Sequence, residues 1–537
     1  MKRTLTLLLV MAMMIAIFPS ALAEEPTVLT VTIPDSTRVL DYKDNTMTAY
    51  IEKTLNVNLQ FNVLAATDFA TKINVSFNSG EEMSDMIIFE TGKLSDALVF
   101  SWAKAGYLLP MTEMYADPEL AKNMNIAYER VGYDFRGMIT MPDGQIYYIP
   151  AINQSFSNEY PAKCWYYQPW LEAVGMDVPE TIDELRDVLR TVVATDLNGN
   201  GVADEIGMAG WNGINGEWFS YLMNSFIYYD YKNNYMKVED GKVSFSFMDD
   251  AFRAGVEYIG NMISEGLIAP ESVTQDEATW KTMINSDPMT AFAFFKTSPS
   301  AIIDVDTKSQ EVILGALEGP EGVKFSQFNP SAPAACFVIP ATCSNPEKAF
   351  QVGDLLISEE LSIVTRWGEH GVDWDYVADL EDPSQYKTDY EVCGYAPYIL
   401  AYDDTYVWSA GTMINRFWGQ VGPFIRQYAI ANGYANNVNV QTSPFDAHAS
   451  EGIILYQTAG YAPEETIAKL IFSEEENAVI EAYSTDIITC VKETISAWLL
   501  NPETLTDESW ATFKSTISDM HADEWLEVVQ AAYERTL

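Results

Sequence analysis

The sequence predicts an α/β fold in which a mostly parallel sheet carries helices on its faces. Segments of strand and helix character alternate from Thr27 to Gly106, and this order is typical of parallel sheets. The strand expected over 85–89 is wholly apolar after Asp85, as in a strand buried on both faces. With 537 residues, of which 48% are hydrophobic, the chain is long enough for two or three folding units.

The first elements follow simple patterns. Residues 27–33 are rich in β-branched side chains, which predicts a strand. A helix is expected around 50–55, and the alternation of apolar and polar residues over 55–63 predicts the next strand. Helices are expected over 67–78 and 93–106.

The clearest helix signal follows Thr181. Thr181 and Glu184 form a capping-box pattern, and apolar residues then recur at helical spacing as far as Val192. The remaining expected elements are a strand at 145–149, an element beginning at Trp165, a helix at 251–265, strands at 290–295 and 336–339, and helices at 346–358, 464–471, 474–499 and 507–534.

Residues 1–23 have the three parts of a secretory signal peptide. Lys2 and Arg3 precede an apolar run from Leu5 to Phe18, and a small-x-small cleavage site ends at Ala23. The apolar run is shorter than the roughly 20 residues that span a bilayer. We therefore expect the chain to be exported.

The cysteines bear on where the exported chain is retained. The first is Cys164, so no cysteine follows the cleavage site and lipid anchoring at an N-terminal Cys is not expected. Confinement in a Gram-negative periplasm and another surface contact in a Gram-positive host both remain open. Cys336 and Cys343 are close enough in sequence to pair, although isolated thiols fit the sequence equally well.

The net charge of −46 excludes some partners. Nucleic acid and anionic membrane surfaces would repel such a chain, whereas cations would be attracted. The same charge also serves solubility. The high hydrophobic content excludes a disordered acidic protein.

The segment 196–205 has the oxygen pattern of a calcium-binding loop. Gly201 lies at position 6, where such loops turn sharply, and position 7 offers a backbone carbonyl. Position 12 is Gly207 rather than the bidentate Glu of an EF-hand, so we expect a structural calcium loop of another kind. A plain Asx-rich turn is the alternative. The candidate ligands are Asp196, Asn198, Asn200, Val202 and Asp204.

Six segments are informative when taken in order, namely Phe77–Ile88, Gly106–Met111, Gly144–Pro150, Trp165–Leu185, the loop 196–205 and Trp367–Trp374. Together they resemble the family 1 extracellular solute-binding proteins of ABC importers, and they are most similar to large members that take up oligosaccharides. The similarity covers about 25–380, and residues 385–465 have no pattern that aligns. In such members the Asp and Glu that end the loop both bind the metal, which adds Glu205 to the candidate ligands.

The resemblance implies a two-lobed, type II periplasmic-binding-protein-like fold with mixed or parallel sheets and hinge crossings. The crossings would lie near 150–160, 328–335 and 358–365. The implied division is a signal peptide at 1–23, lobe one at 24–150 and 335–360, and lobe two at 151–334 and 361–537, with the calcium loop and a C-terminal helical extension in lobe two.

A solute would then bind where the strands of both lobes end. Sugar rings stack on aromatic side chains and bond to carboxylates and amides, although aromatic residues are also common in cores. The candidates are Glu90, Thr91, Asn153, Trp165, Phe295, Lys296, Trp367 and Trp408.

The expected function is therefore capture of a solute, most simply a carbohydrate or oligosaccharide, for an ABC permease, by a monomer without enzymatic activity. A secreted glycoside hydrolase is the main alternative, because any acidic chain offers paired carboxylates. The sequence has no HExxH, GxSxG or Cys/His nucleophile signature. An adhesin would usually show repeats or a wall anchor, and neither is visible.

Overall fold

The structure is a computed structural model that describes residues 25–131, 134–154, 156–297, 299–379, 381–382, 386–387, 398–400, 414–426, 436–437, 452, 455–456 and 459–537. The strands are β1 Thr27–Pro34, β2 Val57–Leu64, β3 Met86–Ile88, β4 Ile149–Asn153, β5 Cys164–Tyr167, β6 Ile206–Ala209, β7 Met236–Glu239, β8 Lys242–Phe245, β9 Ala291–Phe295, β10 Glu311–Leu314, β11 Ala334–Val338, β12 Trp374–Tyr376, β13 Tyr386–Lys387, β14 Tyr398–Leu400, β15 Ile425–Arg426 and β16 Asn436–Asn437.

The helices are α1 Thr46–Leu55, α2 Phe69–Ser79, α3 Asp96–Lys104, α4 Thr112–Ala116, α5 Lys122–Val131, α6 Arg136–Ile139, α7 Phe156–Glu159, α8 Gln168–Val174, α9 Ile182–Val193, α10 Glu217–Met223, α11 Asp250–Ser264, α12 Glu277–Ile284, α13 Val305–Lys308, α14 Pro346–Leu356, α15 Glu359–Trp367, α16 Glu474–Leu500, α17 Asp507–Asp519 and α18 Ala522–Glu534.

Two separate sheets organise the molecule. The first is a six-stranded sheet in the order β15-β4-β11-β3-β1-β2, in which β1 is parallel to β2 and β3 while β11 runs antiparallel between β3 and β4. The second sheet has the order β10-β5-β9-β6, with β6 parallel to β9 and the other pairs antiparallel. The α/β class and the two-lobed fold expected from the sequence are confirmed.

Helix α9 shows how local sequence positions these elements. The Thr181 side chain accepts a hydrogen bond from the Glu184 backbone, and the Glu184 carboxylate bonds back to the backbone N–H of Thr181, so the capping box is confirmed. The apolar face buried against sheet two consists of Ile182, Leu185, Val188, Leu189 and Val192.

Each sheet lies in its own hydrophobic core. The core of lobe one is formed by side chains from 29–152, 335–374 and 418–425. The main core of lobe two is formed by side chains from 162–317 and from the C-terminal helices, which contribute Ile487 and Val491 of α16. The C-terminal helices are therefore packed as part of lobe two.

Two parts of the chain that were expected in lobe two belong to lobe one. Leu361 and Ile363 of α15 are buried in the core of lobe one, and Ile425 pairs in parallel with Ile152 on the edge of its sheet. The apolar face of α15 thus continues the core begun by α14, and no crossing occurs at 358–365. Tyr456 and Tyr461 already pack with Trp165 in lobe two. Residues 467–472 then contact both cores on the way to α16.

Three local expectations are also corrected. The strand expected at 145–149 begins at Ile149, because Thr140 and Ile146 close a turn before it. Residues 464–471 form no helix, and their side chains contact both lobes. The helix expected at 507–534 is two helices, with a break at His521, which has a left-handed conformation.

Further expectations concern the cysteines and the termini. Cys164, Cys336, Cys343 and Cys490 are free thiols, and Cys393 lies outside the described residues, as does the expected signal peptide. Within the part of the chain that the structure describes, every helix is too short or too polar to cross a membrane.

Candidate functional site

Chain connections show which edges of the two sheets face one another. The chain leaves lobe one at the carboxyl end of β4 and returns at the amino end of the neighbouring β11. It enters lobe two at the amino end of β5, beside the carboxyl end of β9. The carboxyl ends of the parallel strands in both lobes therefore border one cleft, which is where open α/β sheets bind ligands.

The wall of the cleft in lobe one follows β1 and β3. A pocket of about 210 Å³ lies here, and Pro34, Thr67, Glu90 and Lys93 are among its lining residues. Glu90 is exposed, and its backbone forms a bridge with Val421. The predicted candidate Glu90 is thus at the open edge of the sheet, where a solute could reach it.

Residues 414–426 cover part of this edge. The Gly422 N–H donates to the Phe89 carbonyl over 3.1 Å. Gly422 has a φ of 96°, and a Cβ at this position would lie 2.9 Å from a methyl carbon of Ile88. Only glycine tolerates both the dihedral angle and the close approach, so this glycine determines how closely the segment packs on the wall.

The wall of the cleft in lobe two is built around Trp211, which follows β6 after Gly210. The Trp211 ring centre lies 6.4 Å from that of the fully buried Trp280, and the Lys296 ammonium lies 5.2 Å from the Trp211 ring centre. Trp280 is anchored by a 3.1 Å hydrogen bond from its indole N–H to the Ala209 carbonyl. Trp211 is half-buried, so its ring retains exposed surface at the cleft.

Charged groups surround this aromatic surface. The Lys296 Nζ donates to the Glu277 carboxylate over 2.7 Å, and this hydrogen bond lowers the pKa of Glu277. Burial raises the pKa of the nearby Glu217 carboxyl, while Lys296 and Lys232 act in the opposite direction. Donors and acceptors are therefore available beside one apolar face.

Two polar atoms at the cleft are buried without a hydrogen-bond partner among the described residues. They are the hydroxyl oxygen of Thr91 in lobe one and the indole Nε1 of Trp211 in lobe two. Unmade hydrogen bonds of buried groups are costly. Both atoms can therefore gain a partner when a polyhydroxylated solute binds.

Two of the aromatic candidates are core residues, which corrects the expectation for them. Trp165 in β5 is 1% exposed and donates its indole N–H to the Lys296 carbonyl over 2.9 Å. Phe295, the last residue of β9, is 2% exposed and packs on Tyr221. Their strands point these rings into the lobe, so neither ring offers a face to solute.

Four predicted site residues remain, and they lie in different surroundings. Trp367 is buried in the core of lobe one, with the Arg366 guanidinium over its ring, so it too is a packing residue. Asn153 is exposed at the end of β4, and its carbonyl accepts a hydrogen bond from Ser331. Lys296 borders Trp211 as described above. Trp408 lies outside the described residues.

The loop 196–205 lies between α9 and β6. The Asp196 carboxylate accepts backbone N–H groups from Gly199, Asn200 and Gly201 at 2.9–3.1 Å, which folds the loop around it. The side-chain amides of Asn198 and Asn200 both point at the Asp204 carboxylate. These are the side chains that the sequence pattern selected as ligands, and they converge.

Glu205 provides the test of whether this loop fits a cation. One of its carboxylate oxygens accepts N–H groups of Leu197 and Asn198, whereas the other is buried without a partner among the described residues. A side chain that is only 5% exposed leaves that oxygen no access to bulk water. Oxygen ligands in a tight loop suit Ca²⁺, so the donor set fits the expected metal. Rotation of the two Asn amides would present their oxygens in place of N–H groups.

A second group of potential metal ligands lies on the surface of lobe one. Atoms of His370, Asp375 and Asp379 lie within 4.8 Å of one another. The His370 ring stacks on Trp374 at 4.3 Å and its Nε2 is 3.3 Å from Asp375. The three side chains are exposed or half-buried, unlike Glu205, and we assign them no ligand.

Trp211, Glu217 and Glu277 were not predicted as site residues. The strand before Trp211 follows the loop 196–205, and its short apolar run Ile206–Ala209 ending in Gly210 could have indicated it. Gly210 is required here, because a Cβ would overlap the ring of Trp218. The contribution of Glu277 depends on the contact between α12 and β9, which a sequence pattern does not reveal.

Comparison with protein families gives one extensive match. Residues 41–361 match the model of the bacterial extracellular solute-binding proteins. The fructooligosaccharide ABC transporter substrate-binding protein FusA of Streptococcus pneumoniae is 26% identical over 481 residues, covering 87% of this chain and 83% of FusA. Lipoprotein LipO of Bacillus subtilis is 27% identical over 229 residues, covering 38% and 42% of the two chains.

Solved structures share the fold. An extracellular solute-binding protein from Bifidobacterium longum subsp. infantis superposes with a TM-score of 0.70 at 17% identity, over 95% of this chain and 98% of that one. An EF-hand mutant of Streptococcus pneumoniae FusA in complex with fructo-nystose gives a TM-score of 0.64 at 21% identity, over 95% and 99%.

Proposed function

The chain belongs to the family of bacterial extracellular solute-binding proteins, and we propose that it captures an oligosaccharide in the cleft between its lobes for delivery to the membrane subunits of an ABC importer. The matched residues 41–361 contain all strands of the second sheet and β2, β3, β4 and β11 of the first sheet. The relative FusA is a binding protein for fructooligosaccharides, and its name supports this choice of solute class.

The observation that carries the proposal is the half-buried indole of Trp211 at the cleft edge of lobe two. One fully buried tryptophan supports it, and an ammonium–carboxylate pair lies beside it. Sugar rings offer apolar C–H faces and hydroxyl groups, so a flat ring next to charged donors and acceptors suits them. The free N–H of Trp211 and the hydroxyl of Thr91 add one partner from each lobe.

We propose that Glu90, Thr91 and Asn153 contribute the side of the site in lobe one. Glu90 and Asn153 are exposed at the carboxyl ends of β3 and β4, two parallel strands that are separated in the sheet by β11. Carboxylate and amide groups there would bond the hydroxyls of a sugar stacked on lobe two. Closure of the lobes would then bury the solute without any step of bond cleavage.

The loop 196–205 would bind Ca²⁺ through Asp196, Asn198, Asn200, Asp204, Glu205 and the carbonyl of Val202. The buried, unpartnered oxygen of Glu205 supports this assignment. The cation would add positive charge to a loop of acidic side chains and stabilise the folded state to which it binds. Its role is structural, because the loop lies between α9 and β6 and precedes β6 at the end opposite Trp211.

We further propose that the protein acts as an exported monomer. A signal peptide at 1–23 would direct it to the periplasm or the cell surface, and the permease would recognise the closed form. The acidic surface, with a net charge of −46, disfavours nucleic acid as a partner.

A thermal-shift screen of the purified mature chain against neutral oligosaccharides, uronate-containing oligosaccharides and peptides tests the function. A neutral oligosaccharide should raise the melting temperature, and it should be recovered unchanged after prolonged incubation. Stabilisation by peptides alone would contradict the proposed solute class. Release of shorter sugars would favour the glycoside hydrolase.

A further inference from the structure

The segment 467–472 lies in the seam between the two lobes. Ile467 is buried in the core of lobe two, and Leu470 and Phe472 pack against the same core, whereas Ile471 packs against the core of lobe one. The segment therefore contacts both lobes before it leads into α16.

Lys469 extends from this seam into lobe one and uses all of its hydrogen-bonding capacity there. Its Nζ donates to the Asp96 carboxylate over 2.9 Å, to the Tyr148 hydroxyl over 2.9 Å and to the Pro333 carbonyl over 2.6 Å. An ammonium group has three N–H donors, so all three are matched. The Lys469 side chain is only 11% exposed, which shields these bonds from water.

The three acceptors belong to the segments that define the cleft and its hinges. Asp96 begins α3, which follows the loop of Glu90 and Thr91. Tyr148 directly precedes β4, and Pro333 directly precedes β11, the two strands beside the crossings between the lobes. The Tyr148 hydroxyl also donates to Asp96 over 2.8 Å, which closes the network.

We propose that Lys469 is a positioning residue for solute binding: from the seam, it couples the orientation of lobe two to the hinge strands and to the cleft loop of lobe one. It touches no solute. Because one ammonium joins the seam to the residues that precede β4 and β11, its loss frees the seam and these two segments to move separately. A smaller fraction of molecules then has the arrangement that binds, and the apparent affinity falls by that fraction.

The exposed pair of Lys104 and Glu474 provides a matched control. It also joins lobe one to the C-terminal helices, over 2.7 Å, but both side chains are about half exposed. Exposed ion pairs contribute little to stability or order. Lys104→Met should therefore behave like the unchanged protein in every measurement below.

The test compares the unchanged protein with Lys469→Met, Asp96→Asn and Lys104→Met by hydrogen exchange without solute. Lys469→Met should raise the exchange rates of amides in 96–104 and 149–153 about tenfold, while the amides of α9 in lobe two keep their rates. Asp96→Asn retains the other two bonds of Lys469 and should give a smaller increase at the same places. Lys469→Arg, which preserves the charge, should restore part of the protection.

Affinity is the second readout, and it rests on the proposed function. For the oligosaccharide found by thermal shift, Lys469→Met should weaken binding about tenfold while the stoichiometry stays the same. Unchanged exchange at 96–104 and 149–153 would overturn the proposal, as would uniformly faster exchange throughout lobe one. If no oligosaccharide binds the unchanged protein, the proposed function fails, whereas the exchange experiment still decides the role of Lys469.

Discussion

The indole planes of Trp211 and Trp280 meet at 34°, with their ring centres 6.4 Å apart, at the point where β6 ends. Trp280 is fully buried and bonded to the Ala209 carbonyl, two residues before Trp211. The buried ring thus supports the half-exposed one from within the lobe. A ring supported in this way loses little freedom on stacking against a ligand, which favours affinity.

Replacing Trp211 by Ala should weaken oligosaccharide binding about 30-fold, corresponding to the roughly 2 kcal/mol of a strong aromatic contact. Isothermal titration measures the effect, and the melting temperature without solute should change by only a few degrees because Trp211 is half-buried. Tyr50→Ala, at an exposed ring of α1, is the control and should leave affinity unchanged. Equal affinity of the two variants would remove Trp211 from the site.

Calcium should stabilise the protein through the loop 196–205. Binding at 100 times the dissociation constant contributes about 2.7 kcal/mol, so a chelator should lower the melting temperature by several degrees. Glu205→Gln should lower the melting temperature in calcium and make it insensitive to the chelator, because the buried oxygen of the carboxylate is replaced by an amide.

Asp519→Asn at the exposed end of α17 removes one negative charge far from the loop in sequence and serves as the control. It should retain the full response to the chelator. If the unchanged protein melts at the same temperature with and without chelator, the loop is an Asx-rich turn that needs no metal.

The buried Asp230 should make part of the stability depend on pH. Burial raises its pKa from 3.8 to about 6, although Gln327 donates to the carboxylate over 2.7 Å. Because the folded pKa lies above the unfolded one, the contribution of this group is most favourable below pH 4 and is lost as pH rises to about 6. The loss is about 3 kcal/mol at most.

Urea unfolding of the unchanged protein and Asp230→Asn between pH 4 and pH 7 isolates this contribution. The difference in free energy of unfolding between the two should shift in favour of the variant as pH rises. Parallel pH profiles would show that Asp230 is not the titrating group.

The pair of Arg416 and Asp373 should anchor residues 414–426 to lobe one. The guanidinium donates to both carboxylate oxygens, at 2.6 and 2.8 Å, and the Asp373 side chain is almost fully buried. Arg416→Met would remove the ion-pair partner of the buried Asp373 carboxylate. We expect the free energy of unfolding to fall by about 2–3 kcal/mol, and partial exposure of the Arg416 side chain keeps the effect from being larger.

Chemical denaturation measures this loss. Arg190→Met at an exposed ion pair is the control and should cost less than about 1 kcal/mol. Adding Asp373→Asn to Arg416→Met should recover part of the stability, since the buried charge is removed. A loss no larger than that of Arg190→Met would show that the pair does not stabilise the lobe.

The fold was predictable where local signals and burial agree. The capping box of α9 and the apolar strand β3 were recognised because each depends on neighbouring residues. The segment 464–471 was mistaken for a helix, because contacts with two lobes outweigh its helical spacing of apolar residues. The return of residues 414–426 to lobe one depends on pairing between Ile425 and Ile152, 273 positions apart, and no local pattern indicates it.

The candidate site was predictable at the level of sheet edges, but less so at the level of side chains. Glu90 was correctly placed at the exposed edge, because it follows a strand that the sequence reveals. Trp165 and Phe295 were expected at the cleft edge of lobe two, yet both rings are buried inside that lobe. Trp211 was missed because its strand is only four residues long.

The most direct test of the central claim is isothermal titration of the mature protein with the oligosaccharides that raise its melting temperature, followed by chromatography of the recovered sugar. We expect one solute per chain, a dissociation constant at or below about 1 µM, equivalent to about −8 kcal/mol, and intact sugar after the experiment. The absence of binding by any oligosaccharide, or the appearance of shorter sugars, would contradict the account.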